Sequence, residues 1–341
     1  MQAYFDERQD RHHPQTYFTQ GQMKQPQEIP DRTGEVRDGL RRAGMTVCGP
    51  RDYGMAPANR VHDLGYLRFL ESAHRRWTAM GESWGPEVLS NIFVRSPNPK
   101  RGILAEAGAY LADGSCPVGA GTWESAYWSV QTALTAADDL LAGQAMAYAL
   151  CRPPGHHARV DAAGGFCYLN NAAIAAEALR ARYPRIAILD TDVHHGQGIQ
   201  EVFYERSDVL YISIHGDPTN FYPVVAGFED ERGSGPGYGT TINLPLPHGS
   251  GVEAFFGRLQ EALTAIELFA PDALIFDTGF DIYREDPQAK IGIDSPDFER
   301  LGASIAGLGL PTLVVQEGGY DLDSLGINTD YLMRGLMQAG P

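Results

Sequence analysis

Five short apolar runs constrain this chain more than any other feature: residues 147–151 (AYALC), 186–190 (IAILD), 209–214 (VLYISI), 273–276 (ALIF) and 312–315 (TLVV), separated mostly by helical or loop segments. Short runs without a polar face are what a parallel sheet buried on both sides requires. Helical stretches at 171–182, 252–269 and 296–308 supply crossovers, and an Ala-rich helix is expected at 122–141. The expected class is α/β, a single three-layer domain over residues 1–341 with a central, mostly parallel sheet flanked by helices.

The remainder is less regular. Residues 1 to about 60 read as polar and irregular, with a helix plausible over 32–43. Residues 61–77 place apolar side chains at helical spacing, and His62 and His74 there read as surface or packing residues rather than ligands. Between 80 and 120 the stretches GESWGPEV, RSPNPKRG and DGSCPVGAG carry turn and loop chemistry. A loop of that length in a compact domain is usually functional or an interface.

Charge narrows the function. Lys plus Arg number 27 against 43 Asp plus Glu, a formal −16. Nucleic-acid binding needs clustered positive charge, so it is excluded as an expectation. An acidic surface favours solubility and steers cationic small molecules. The four cysteines, Cys48, Cys116, Cys151 and Cys167, form no CxxC pair, which fits a reducing compartment. The first residues, MQAYFDERQDRHH, lack the apolar core of a signal peptide, and no apolar run approaches the ~18 residues of a membrane span. The expectation is a soluble cytoplasmic protein.

Each apolar run ends in an unusual polar motif: CRPPGHH, DTDVHHG, HGD, DTGFD and QEGGY. In open α/β sheets ligands bind beyond the carboxyl ends of the strands, so five segments converge on one place. Asp192 and His194 are i and i+2 in an extended chain and point to one side, where both can reach the same ion. Asp190 shares that side with Asp192, and two carboxylates so close repel unless a cation intervenes. Asp281, at the tail of another run, supplies a third ligand. Three protein ligands with an open fourth position describe a catalytic zinc, although so carboxylate-rich a set also accommodates Fe(II).

His156 and His157 follow two prolines and a glycine in a rigid turn. An imidazole can hold and release a proton near neutral pH. Asp190 is the candidate acid behind His156, which would favour imidazolium, and Gln197 is the neutral counterpart behind His157. Tyr320, after Gly318 and Gly319, offers a phenol to a developing oxyanion. Singly, each of these residues could be a strand-end cap or a packing group; the set as a whole points to a catalytic metal site.

With RPPGHHA, GGFCYLNNAA, ILDTDVHHGQG and EGGY in order, the chain resembles the histone deacetylase superfamily of zinc amidohydrolases over about residues 60–335. Within it, VHDLGYLRFLE, GTWE, HGDP, EGGY and the long 80–120 stretch are most similar to the bacterial acetylpolyamine amidohydrolases. The resemblance implies an arginase/deacetylase-like fold, one zinc on Asp192, His194 and Asp281, and water attack on an acetamide carbonyl polarised by zinc and Tyr320. It implies His157 as general base and then acid, and His156 with Asp190 as electrostatic support. It further implies a structural potassium ion near Asp190 and Ser213, and a narrow alkyl tunnel lined by Phe166 and Tyr222 beside Gly165. A homodimer formed through the 80–120 loop would narrow that tunnel, with Glu106 and Asp113 as candidates to recognise a distal ammonium.

Two departures from the family pattern matter. Gln197 stands where many relatives carry Asp or Asn, and Ser115 stands where protein deacetylases commonly carry an Asp that grips peptide backbone. The expected substrate is therefore a small acetylated cationic amine, with acetyl-lysine in proteins or peptides as the alternative. A two-manganese ureohydrolase would need a DxHxD run that DTDVHHG does not supply. A non-catalytic sensor of acetylated ligands would not need Tyr320 and His157 beside a full ligand set.

Overall fold

The structure, a computed structural model, describes residues 1–94 and 99–338. Its strands run in chain order β1 (Gln2–Tyr4), β2 (Tyr17–Thr19), β3 (Gln22–Lys24), β4 (Val47–Cys48), β5 (Met146–Ala149), β6 (Ile186–Asp190), β7 (Val209–Gly216), β8 (Thr241–Leu246), β9 (Ala273–Thr278) and β10 (Thr312–Gln316). The helices are α1 (Asp31–Arg42), α2 (Leu64–Thr78), α3 (Ile103–Tyr110), α4 (Thr122–Leu141), α5 (Asn171–Leu179), α6 (Gln197–Phe203), α7 (Val252–Phe269), α8 (Asp297–Ala306) and α9 (Leu322–Gln338).

One eight-stranded sheet has the order β4-β1-β5-β10-β9-β6-β7-β8, and every pairing in it is parallel. β2 and β3 make a separate antiparallel pair. Side chains alternate across the central strands as the pleat demands. Ile186, Ile188, Ile275 and Val315 face one core, which α2, α4 and α5 cover. Ala187, Leu189, Leu274, Phe276 and Val314 face the other, under α1, α7, α8 and α9. Both faces are thus buried, which explains runs with no polar alternation.

The chain visits β5 and β6 first and later inserts β9 and β10 between them. The segments leaving β5, β6, β9 and β10 therefore emerge side by side at one edge of the sheet. Register makes this concrete, with Asp190 at the end of β6 opposite Asp277 of β9 and Ser213 of β7. The sheet delivers acids from neighbouring strands to the same level.

The structure differs from the sequence reading in several places, and it adds α6, α9 and the β2–β3 pair, for which no expectation was made. The N-terminal stretch contributes β1 and β4 to the main sheet, where three and two residues pair without any periodicity to reveal them. β8 carries Pro245, tolerated because this strand lies at the sheet edge. The 80–120 stretch is not loop throughout, since α3 packs against α2 through buried Ile103 and Ala107. Arg95 to Asn98, the start of RSPNPKRG, lie outside the described residues. All four cysteines are free thiols, and no helix among the described residues is long and apolar enough to cross a membrane.

Candidate active site

The turn after β5 is held from two directions. Arg152 is buried and bonds Glu28 Oε1 at 2.8 Å and the carbonyls of Gln9 (2.9 Å) and His12 (2.7 Å). From β10, Glu317 Oε2 accepts the backbone N–H groups of Gly155 (2.7 Å) and His156 (3.1 Å). The two imidazoles that follow lie 3.9 Å apart with planes inclined by 39°, and they turn to different partners. Asp190 Oδ2 lies 3.1 Å from His156 Nδ1, whereas Gln197 Oε1 lies 2.6 Å from His157 Nδ1.

The partners drive the two rings apart electrostatically. Burial pulls His156 down, but Asp192 and Asp190 outweigh it and lift it to about 10, so it is an imidazolium. Burial lowers His157 well below its ordinary value, and the neighbouring His156 charge adds to the shift, which favours the neutral ring. Adjacent groups with opposed shifts are how one site holds an acid and a base at the same pH.

Beyond β6 and β9, one donor atom each from Asp192, His194 and Asp281 lies within 4.8 Å of the others, and all three residues are buried. His194 Nδ1 is 3.1 Å from Asp192 Oδ1 and 3.3 Å from Asp281 Oδ2. Backbone N–H groups orient the acids, with Val193 on Asp281 Oδ1 (2.9 Å) and Gly318 on Asp192 Oδ2 (2.9 Å). Asp281 Oδ2 is buried without a hydrogen bond of good geometry. A Cβ at Gly318 would fall 2.5 Å from a carboxylate oxygen of both Asp192 and Asp281, so only glycine lets the β10 loop close over the cluster. Burial, and then the Asp192 charge, pushes the Asp281 carboxyl up to about 7. Two oxygen donors, one imidazole and an orphaned buried carboxylate oxygen fit a divalent ion of the zinc or Fe(II) kind.

Tyr320 is half-buried, and its phenol is held well above 10 by burial, with Asp192 and Asp281 adding to the shift, so it keeps its proton. Its backbone is fixed by Asp286 Oδ2, 2.6 Å from the Tyr320 N–H. Arg32 bonds the carbonyls of Gly319 (2.6 Å) and Glu317 (2.7 Å) and Glu28 Oε1 (2.8 Å), with its guanidinium 4.7 Å from the Tyr320 ring centre. Phe166 lies edge-on to Tyr320 at 5.8 Å, stacks on Tyr17 at 4.6 Å, and adopts a positive φ of 69°. A bulky residue in that region costs energy and is found where the site over-determines it. Tyr222 stands perpendicular to His157, with ring centres 4.7 Å apart. A Cβ on Gly165 would come within 2.3 Å of the His157 ring, so glycine is needed for this wall to approach the base.

The remaining candidates divide. Asp190 and Ser213 are buried partners in the β6–β7 register; Asp190 Oδ2 also accepts the Tyr211 hydroxyl at 3.0 Å, and Ser213 Oγ contacts His215 Nδ1 at 2.8 Å. Asp113 reaches the site and accepts the Gly165 N–H (3.0 Å) and the Tyr222 hydroxyl (2.7 Å). Glu106, on α3, faces Arg76, which donates to both of its oxygens at 2.5 and 2.7 Å. Ser115 bonds Asp113 through its N–H (2.8 Å) and hydroxyl (2.5 Å). His62 is buried, with Nδ1 2.9 Å from the Arg159 carbonyl and Nε2 accepting the Asn170 N–H at 2.9 Å; His74 reaches the Pro86 carbonyl at 3.1 Å.

Sequence reasoning passed over Asp277 and Glu317, although both lie in quoted motifs, DTGFD and QEGGY. Both are buried; burial and mutual repulsion raise Asp277 well above its ordinary value, and burial carries Glu317 to about 7. It also missed Glu28 and Arg32, for which a charged residue in a polar segment gives no signal.

A Histone deacetylase domain model matches residues 26–336. The chain belongs to the histone deacetylase family. The match begins well before residue 60, where the family motifs of the sequence start. The chain is 61% identical over 328 residues to an acetylpolyamine amidohydrolase of Burkholderia pseudomallei, covering 96% of each. It is 44% identical to acetylpolyamine amidohydrolase 1 of Pseudomonas aeruginosa over 331 residues, covering 95% of each. A crystal structure of the acetylpolyamine aminohydrolase from Burkholderia pseudomallei superposes with a TM-score of 0.97 at 60% identity, covering 98% of each chain. The chain is thus an amidohydrolase of this family with its central parallel sheet.

Proposed function

We propose that this chain removes acetyl groups from acetylated polyamines or related small cationic amines, using one zinc ion held by Asp192, His194 and Asp281. The observation that carries this is the juxtaposition of that buried trio with His157, whose ring centre lies 5.9 Å from that of His194, and with the Tyr320 loop, whose Gly318 N–H bonds Asp192, in a chain 61% identical to an acetylpolyamine amidohydrolase. Bound there, zinc would supply Lewis acidity toward an acetamide carbonyl and toward water.

The side chains do the rest. His157 Nε2 takes the proton of the attacking water and returns it to the departing amine. His156 stays charged between Asp190 and Asp192 and stabilises negative charge beside it. Tyr320 donates its phenolic proton in a hydrogen bond to the oxyanion, and Arg32 and Asp286 fix the loop that carries it. Phe166 and Tyr222, with Gly165 between the wall and His157, confine the alkyl chain and exclude bulk water.

Around this core we place a structural potassium ion near Asp190 and Ser213, and a homodimer contact through the 80–120 stretch including α3. The −16 charge steers cationic substrates toward the protein. Glu106 is the candidate for a distal ammonium, whereas both oxygens of Asp113, the other acid named from the resemblance, are taken up by Ser115, Gly165 and Tyr222. A cytoplasmic location suits four free thiols. The near full-length relatives named as acetylpolyamine amidohydrolases, and Ser115 in place of an acid, disfavour the acetyl-lysine reading. Acetate release from acetylputrescine, acetylcadaverine, longer acetylpolyamines and acetyl-lysine peptides tests it: the small amines should be preferred, and faster turnover of the peptides would overturn the substrate assignment.

A further inference from the structure

A continuous chain of hydrogen bonds runs from a carboxylate to the catalytic base. Tyr222 Oη lies 2.7 Å from Asp113 Oδ2 and 3.3 Å from Gln197 Nε2, and Gln197 Oε1 lies 2.6 Å from His157 Nδ1. Its ends fix its direction. A carboxylate only accepts. Asp113 is fully engaged in doing so: Oδ1 takes the N–H and hydroxyl of Ser115, and Oδ2 takes the Gly165 N–H and the Tyr222 hydroxyl. Burial, and then the Asp113 charge, keep the Tyr222 proton in place.

With that proton committed to Asp113, the phenol oxygen can only accept from Gln197. The amide nitrogen must then face Tyr222 and the amide oxygen must face His157. An amide oxygen only accepts, so Nδ1 of His157 carries hydrogen and Nε2 carries the lone pair. We propose that Asp113 is a positioning residue that, through Tyr222 and Gln197, locks His157 in the Nδ1–H tautomer with Nε2 as its basic atom. This deepens the amidohydrolase reading and rests on it for the role of His157. A neutral amide behind the base leaves its tautomer undecided, because an amide can present either end; the distant carboxylate removes that choice. It orients without placing a charge against the ring.

The weak point of such a relay is reversal. In Asp113→Asn an amide nitrogen in the Oδ2 place gives up the Gly165 N–H bond and donates to Tyr222, the phenol can donate to Gln197 Oε1, and Gln197 Nε2 then donates to His157 Nδ1. The proton moves to Nε2 and the base is lost without any change of shape. Tyr222→Phe cuts the same chain while leaving Asp113 bonded to Gly165 and Ser115. In Gln197→Asp a carboxylate meets Nδ1 directly and bypasses the relay.

The test has two arms, both on the full-length zinc-loaded protein. In the first, 15N chemical shifts of the histidine side chains, with His157 assigned by substitution, should report Nδ1–H in the wild type and a shift toward Nε2–H in Asp113→Asn and Tyr222→Phe. In the second, Asp113→Asn should lower kcat about tenfold to a hundredfold with little change in KM, the usual effect of removing an orienting partner. Introduced into Gln197→Asp, it should cost far less. An unchanged tautomer in Tyr222→Phe, or an equal kcat loss from Asp113→Asn in both backgrounds, would overturn the relay, as would a KM increase of equal size in both, which marks Asp113 as an ammonium clamp. If the wild type releases no acetate, the functional reading fails while the tautomer arm still reports on the relay.

Discussion

His156 and His157 are neighbours in the chain and sit on opposite electrostatic halves of one site. The His156 half is crowded with acid: Asp190 and Asp192 face its ring, an Asp277 oxygen lies within 4.8 Å of a ring nitrogen, and Glu317 holds its backbone. The His157 half presents an amide, a phenol and, beyond them, a single carboxylate. One half stores charge and the other keeps a neutral base. Both rings are buried, so the difference lies in what faces each, and one dipeptide carries two opposed pKa shifts.

The largest effect should come from removing the charge that the acidic half is built around. Asp281→Ala should lose its zinc, measured by elemental analysis, and with it acetate release down to background; full metal occupancy in this variant would contradict the ligand assignment.

Next come the groups that act on the reacting atoms. His157→Ala should lower kcat by about 10²–10⁴-fold, the range for a positioned acid–base group. Tyr320→Phe should lose about 10²–10³-fold, as for an oxyanion donor. Both should retain zinc, and loss of metal in either would merge the two halves into a single structural unit.

A smaller effect would sharpen the contrast directly. As the proposed base His157 must act unprotonated, and burial holds its pKa well below 6.5, so wild-type kcat/KM should stay flat on the acid side until below that pH. A carboxylate beside it favours the charged ring, so Gln197→Asp should move the acid limb upward by about one to three units. A pH–rate profile that does not move would show that Gln197 has no electrostatic role.

The two halves also differed in how far the sequence revealed them. The Asp192–His194–Asp281 cluster, which the structure brings together, was legible because Asp and His stand at i, i+2 spacing on the end of an apolar strand, as in Asp190, Asp192 and His194. Asp190 behind His156 and Gln197 behind His157 could be paired for the same reason, since both lie in that motif. Asp113 is different: it was named only through the family resemblance, as an ammonium candidate, and its contacts were hidden because it is 52 residues from Gly165 and 109 from Tyr222, in a Gly-rich segment where an Asp ordinarily caps a turn. Glu28 and Arg32 were hidden likewise, because burial of an ion pair depends on α1 packing beneath the β10 loop, which no local pattern encodes. Strands β1 and β4 are too short to show a period, and α3, eight residues long, was masked by the Pro and Gly around it.

The central claim is that one zinc on Asp192, His194 and Asp281 is what the rest of the site serves. Metal-stripped protein titrated with zinc, with acetate release from an acetylated diamine followed at each addition, tests it most directly. Activity should rise in proportion and level off at one equivalent per chain. A plateau at two equivalents, or acetate release that persists without any added metal, would contradict it.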